Sequence, residues 1–141
     1  MKKSFVMVLL LIMPFLASCT SGPMKAPTSA GMVVLSKGAT QHTATVMLTI
    51  PPTRVYETTL GIVEARSDWE LVNNNRDAHL IEVQKGELSL TIQVTTMDRI
   101  STILFLWADA GNSGMTGHDL ATRAMQQICD ELKVECQMQD I

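Results

Sequence analysis

The stretch AGNSGMTGHDLA, residues 110–121, concentrates the residue types that can do chemistry in this chain. Gly111, Gly114 and Gly117, with Thr116 among them, stand ahead of a helix-like pattern. Such a loop binds phosphate by aiming backbone N–H groups and a helix N-terminus at the anion. The spacing, however, is G-x-x-G-x-x-G, which matches neither G-x-x-x-x-G-K-[ST] nor G-x-G-x-x-G, and the stretch holds no lysine. Capping explains the residues with fewer demands: Thr116 is a natural N-cap, with Asp119 three residues on as its capping-box partner. The stretch therefore reads as a connection, with Gly111, Gly114, Thr116 and Gly117 kept as a candidate anion loop. His118-Asp119 is a pair that ligates metal only where further His and Asp converge on it. The three histidines, His42, His79 and His118, fall on different predicted elements. No G-x-S-x-G or S-x-x-K is present, and Asp130-Glu131 sits near the end of a helix, where acids are normally solvated. Nothing assembles into nucleophile, base and oxyanion donor. The expectation is no catalytic residue, no metal and no cofactor.

The cysteines carry more. Lys2 and Lys3 precede an apolar run from Phe5 to Ala17, broken only by Pro14. That run is shorter than the roughly 20 residues a membrane span needs and suits a secretory leader. It ends in Leu16-Ala17-Ser18-Cys19, and here the chain resembles bacterial lipoprotein precursors, whose lipobox is a Leu, two small residues and a Cys. The resemblance implies cleavage before Cys19 and acyl chains on its sulfur and new amino terminus. Thr20 stands where inner-membrane retention would place Asp, which implies an outer-membrane anchor facing the periplasm. Two or more acyl chains hold a protein stably on a bilayer. Cys129 and Cys136 remain. On one continuous helix they would be separated by about 10.5 Å of rise. A disulfide tolerates no more than roughly 7 Å between Cα atoms. A bond therefore requires the helix to end near Lys133, so that Val134-Glu135-Cys136 folds back; otherwise both stay free.

Those residues need elements to position them. Losing residues 1–18, and with them Lys2 and Lys3, takes the net charge from −3 to −5. An acidic chain without a Lys/Arg cluster lacks the basic footprint that nucleic acid requires. Residues 19–41, lipidated at their start and rich in small residues, Pro and Gly, read as a tether; within them MVVL (32–35) is a strand or a segment packed across the domain. Residues 42–141 form one periplasmic domain. Ala44, Val46, Leu48 and Ile50 alternate with threonines, the pattern of a half-buried strand. Pro51-Pro52 stops it and opens a helix carrying Val55, Tyr56, Leu60, Ile62 and Val63, in which Gly61 implies close packing on a sheet. Trp69 and Leu71 begin a strand that the asparagine run 73–75 ends. Two further strands flank a tight turn at Lys85-Gly86. A long strand over Ile100–Ala110 follows, and then a helix from about Gly117 to Leu132 with Leu120, Ala124, Ile128 and Leu132 on one stripe. The order strand, helix, three or four strands, helix is α+β: an antiparallel sheet of about four strands with two helices on one face.

On these residues the chain also resembles a family of small bacterial lipoproteins of unknown function, across roughly residues 43–133. The likeness rests on Val55-Tyr56-Glu57-Thr58-Thr59-Leu60, Trp69, Asn75-Arg76-Asp77, Gly86-Glu87-Leu88, the glycine loop and the final helix. It departs in the last strand, where the family shows V-x-I-R and this chain shows Ile103 to Trp107. It implies the fold and no activity. In that strand, Ile103, Phe105 and Trp107 are expected toward the helices, leaving Leu104 and Leu106, with Leu80 and Val72, on the open face. An exposed apolar patch there marks a partner face, unless the chain covers it with MVVL or its C-terminal tail. The functional expectation is a non-catalytic structural or accessory protein-binding module, docking an envelope protein or its own copy. The alternative is a small-ligand or lipid-binding domain with a pocket between helices and sheet.

Overall fold

The computed structural model describes residues 31–37 and 41–141; Cys19, the leader and most of the expected tether lie outside them. The chain runs β1 (Gly31–Lys37), β2 (His42–Leu48), α1 (Pro52–Glu64), β3 (Glu70–Asn75), β4 (Leu80–Lys85), β5 (Leu88–Thr96), β6 (Thr102–Asp109), α2 (Gly117–Leu132) and β7 (Cys136–Asp140). The class is α+β, with a seven-stranded sheet in the order β3-β4-β5-β6-β2-β1-β7. Neighbours are antiparallel except β1 and β7, which run parallel.

Four strands is therefore an undercount, and the reason is physical. β1 lies inside the segment 19–41 read as a tether, so the folded body begins before residue 42. Its four apolar residues are too short a run to declare a strand without their neighbours. β7, CQMQD, alternates over only two apolar residues, Cys136 and Met138, too short a pattern to declare a strand; its extended form is fixed by pairing with β1, Gly31 opposite Cys136 through Leu35 opposite Asp140. The asparagines also sit differently: Asn73–Asn75 are paired with β4 inside β3, past an irregularity between Leu71 and Asn73. β3 is an edge strand exposed along its length.

What delivers β7 to the sheet is the end of α2. Lys133 takes a left-handed conformation, φ 59°. Its N–H bonds to the Asp130 carbonyl at 3.1 Å and the Val134 N–H to the Cys129 carbonyl at 3.0 Å, closing off the last turn. The reversal brings the Cys129 and Cys136 Cα atoms to 6.1 Å, and the two sulfurs are bonded. Gly31 starts β1 beside this bond. A Cβ there would lie 2.8 Å from Val46 Cγ2 and 3.3 Å from Cys136 Sγ, so only bare backbone passes.

Both helices lie on one face of the sheet and close a single core with it. From β2 come Ala44, Val46 and Leu48, and from β5 Leu90, Ile92 and Val94; α1 adds Val55, Tyr56, Leu60 and Val63, and α2 adds Leu120, Met125, Ile128 and Leu132. In β6 the inward row is Thr102, Leu104, Leu106 and Ala108, all 0% exposed. The expected orientation of β6 is thus reversed: Leu104 and Leu106 are core, and Ile103, Phe105 and Trp107 look away from the helices. Cross-strand neighbours decide it. Leu106 lies between Ile92 and Ala44, and Leu104 between Val94 and Val46. Trp107 lies between Thr91 and Thr43, and Phe105 between Gln93 and Thr45. The small residues Ala44, Ala108 and Ala121, each 0% exposed, let α2 come close to β2 and β6; a Trp in that row would hold it off. Thr102 is tolerated inside because its hydroxyl donates to the Ile50 carbonyl at 2.7 Å.

Gly61 is a second correction. It faces solvent, and a Cβ there would meet nothing within 4 Å, so it marks no close packing. Gly61→Ala is expected to stabilise the fold by about 1 kcal/mol through helix propensity alone, read by chemical denaturation. In the same assay Leu106→Ala should cost about 2–5 kcal/mol, as buried leucine truncations do. Phe105→Ala, on the open face, should cost about 1 kcal/mol; the reverse ranking would refute this orientation of β6.

Candidate functional site

The glycine loop is built for turning. Gly111 (φ 50°) and Gly114 (φ 84°) supply left-handed backbone on the way out of β6. Four amides of the stretch donate to side chains. Gly111 N–H donates to Asp109 Oδ1 at 2.9 Å and Asn112 N–H to Glu87 Oε2 at 3.0 Å. Met115 N–H reaches Ser113 Oγ at 3.3 Å, and Asp119 N–H reaches the cap, Thr116 Oγ1, at 3.0 Å. Two of these acceptors are carboxylates, which an incoming phosphate would have to displace against its own charge. Gly117 serves a different need: a Cβ there would lie 2.7 Å from His42 Nδ1, so the glycine makes room for that ring.

His42 and His118 meet in space although they stand on different elements. β2 begins where α2 begins, which sets the two rings edge to face with centroids 6.0 Å apart. His118 Nε2 lies 2.7 Å from Asp140 Oδ1 on β7, and its Nδ1 is 3.8 Å from Asp119. Sequence spacing could not show this cluster, because Asp140 arrives only through the β1–β7 pairing. The hydrogen bond to Asp140 holds the His118 ring protonated above the ordinary histidine range, with Asp119 adding to the effect and partial burial opposing it. Among the described residues no group of three or more His, Cys, Asp or Glu side chains is placed to hold a metal ion. His79 is elsewhere, its ring 5.0 Å from that of Tyr56. Asn75-Arg76-Asp77 makes the β3–β4 turn: Asn75 Oδ1 accepts from Ala78 N–H at 3.0 Å, while Arg76 pairs with Glu57 and lies over the Tyr56 ring.

Two surfaces remain without an internal role. One is the open face of the sheet. Leu104 and Leu106 do not belong to it, and Leu80 does, half-buried beside Gln93. Sequence reasoning missed its main members: Ile103, Phe105 and Trp107, with Val34, Met47 and Met32 on the adjoining strands. The Phe105 and Trp107 rings stack at 5.8 Å, and Met32 and Met47 are 58% and 59% exposed. The signal that could have found them was the threonine and glutamine alternation of β2 and β5, once paired with β6.

The other surface is a cleft between α1, α2 and the inner face of β4 and β5. It encloses about 90 Å³ and is walled by Ile62, Trp69, Val83, Ile92, Ala124 and Ile128. Arg66 of the α1 terminus and Arg123 of α2 border it. Arg66 Nη1 donates to Gln127 Oε1 at 3.3 Å, and its other nitrogens hold Asp68 at 3.1 and 3.2 Å. Asp68 also accepts from Lys85 Nζ at 2.8 Å, and Arg66 with Lys85 keeps its carboxyl well below the usual carboxylate range. Arg123 makes no ion pair among the described residues.

The His118–Asp140 contact has a measurable consequence. A histidine that binds its proton more tightly when folded adds stability at pH below its unfolded value, about 6.5, and loses it as pH rises through the raised value. The melting-temperature gap between the wild type and His118→Gln should be widest near pH 5.5 and close toward pH 8.5. A gap that does not change with pH would remove the pair's role.

No family model matches the chain, and no curated protein does. Solved structures give distant likenesses. The ZhuI aromatase/cyclase from Streptomyces sp. R1128 aligns over 66% of this chain and 86% of its own at 14% identity, TM-score 0.39. A conserved protein of unknown function from Enterococcus faecalis aligns over 72% and 74% at 9% identity, TM-score 0.46. Ara h 8.0201 aligns over 66% and 94% at 9% identity, TM-score 0.42. At these scores the likenesses say nothing about site or chemistry.

Proposed function

We propose that this chain is a non-catalytic accessory module of the bacterial envelope, anchored in the outer membrane through lipid on Cys19, that docks another protein through the open face of its sheet. The observation that carries the reading is the row Ile103, Phe105 and Trp107 with Met47 and Val34 beside it. An antiparallel sheet with helices on one face normally turns polar residues outward on the other. Here the middle of that face is apolar and aromatic, and aromatic side chains are enriched where proteins meet. The polar residues flanking that row, Thr43, Thr45, Thr91 and Gln93, are uncharged, with Glu82 beyond Thr91 and Asp109 at the end of β6 as charged members of the same face, so the surface matching the middle of the face is an apolar one. Leu16-Ala17-Ser18-Cys19 and Thr20 support the anchor and its placement. The Cys129–Cys136 bond supports an oxidising compartment such as the periplasm. Among the described residues no helix is long and apolar enough to cross a membrane. The cleft favours a second reading, a small-ligand or lipid-binding domain; it lies on the other side of the sheet and does not compete with the first.

A photo-crosslinker at Phe105 in the native host, with a control at the exposed Glu64 on α1, tests the docking face. A discrete heavier adduct from Phe105 alone is expected, at a mass that identifies a second protein. An adduct of twice the chain mass would replace the partner with a second copy, and no adduct beyond the control would overturn the reading. With the crosslinker kept at position 105, Ile103→Thr with Trp107→Thr should abolish the adduct while leaving the melting curve cooperative.

A further inference from the structure

We propose that the cleft between the helices and the sheet is a binding site for a single-chain amphiphile with an anionic head, its alkyl end inside and its head at Arg123. The inside is mostly apolar, with Thr59 and Gln127 its uncharged polar members. Ile62 comes from α1, Trp69 from the segment before β3, Val83 and Ile92 from the sheet, and Ala124 and Ile128 from α2. A space of about 90 Å³ is smaller than the roughly 150 Å³ engineered cavity that takes benzene. The end of an alkyl chain fits a space of this size. Ala124 sets the opening: it stands on the apolar stripe of α2 where Leu120, Ile128 and Leu132 fill space, and its methyl leaves a gap that they would close.

The rim supplies charge. In an acidic chain the cleft is bordered by two arginines, one just past the end of α1 and one on α2, and no carboxylate lines it. They are not equivalent. Arg66 is engaged by Asp68 and tied to Gln127, so it is held in place and partly neutralised. Arg123 has no such partner among the described residues and can turn its guanidinium fork to a carboxylate or phosphate, which it binds in bidentate fashion. Its alkyl stem lies along the apolar rim, as arginine stems do. A cationic amphiphile would meet the same two arginines unfavourably, and an uncharged one would gain nothing from them. The site thus selects on head charge while the alkyl end supplies the burial.

The chain from Thr20 onward contains every described strand and helix and carries no acyl group, which makes it suitable for the test. Its two tryptophans, Trp69 and Trp107, lie on opposite sides of the sheet. In a Trp107→Phe background Trp69 is the sole reporter, and decanoate below its micellar concentration is the probe. Saturable change in Trp69 fluorescence is expected with decanoate, weaker change with decanol, and none with decyltrimethylammonium. Arg123→Gln should weaken decanoate binding about tenfold, as the loss of one charge-assisted hydrogen bond does, and leave decanol unaffected. Ala124→Phe should abolish binding of both by filling the cleft. No saturable response to decanoate in the folded protein would overturn the site. Equal affinity for decanoate and decanol, unchanged by Arg123→Gln, would overturn the anionic class.

Discussion

Everything in this structure hangs on which way the central strand faces. β6 is the fourth of seven strands, with β5 and β2 against its two edges. Because side chains alternate, a one-residue change of register would exchange its two rows and put a different set of residues in the core. The row that is inside, Thr102, Leu104, Leu106 and Ala108, diminishes to a methyl where α2 crosses. The row that is outside holds the large residues Ile103, Phe105 and Trp107. The orientation sets the depth of the core, the seat of α2 and the character of the open face at one stroke.

From that seat the remaining architecture follows. α2 leaves β6 through a connection four of whose amides donate to Asp109, Glu87, Ser113 and Thr116, crosses Ala44 and Ala108, and is stopped at Lys133. The left-handed turn there directs the chain along β1, and the Cys129–Cys136 bond holds β7 to the end of its own helix. Near the other end of β7, Asp140 meets His118 at the start of the same helix. The C-terminal strand is thus clamped at both ends to one helix, once covalently and once by charge. The opposite edge, β3, is held more locally: Tyr56 of α1 donates its hydroxyl to Asn74, and Asp68 binds Arg66 and Lys85. Between these two edges the helices are braced differently, and the cleft opens where α1 and α2 are bridged by Arg66 and Gln127 instead of by large apolar side chains.

Local features of the fold were readable residue by residue. The alternation from Ala44 to Leu48 is a strand, Pro51-Pro52 begins a helix, Lys85-Gly86 turns a hairpin, and Thr116 caps α2. The length argument for Cys129 and Cys136 also needs only helix geometry and the end of α2. Features that depend on a distant partner were not readable. β7 is short, and the alternation of Cys136 and Met138 with glutamines is too brief to announce a strand until β1 is beside it. β1 itself looks like part of a tether until it is seen between β2 and β7. His118, Asp140 and His42 carry no spacing that joins them, and the cleft exists only where two helices fail to close over a sheet.

The row assignment of β6 shows the boundary between the two kinds of information most clearly. The sequence by itself determined that a strand runs within Ile100–Ala110, that its two rows are both apolar, that α1 and α2 each have one apolar stripe, and that the class is α+β. These follow from period and capping, which act within a few residues. Only the tertiary structure decided which row is buried, because the two rows of β6 are nearly equal in hydrophobicity and differ in what stands opposite. Leu104 and Leu106 face Val46, Ala44, Ile92 and Val94; Phe105 and Trp107 face threonines and Gln93. Burial of a strand residue is a property of three strands and a helix together, and the composition of β6 alone does not assign its rows.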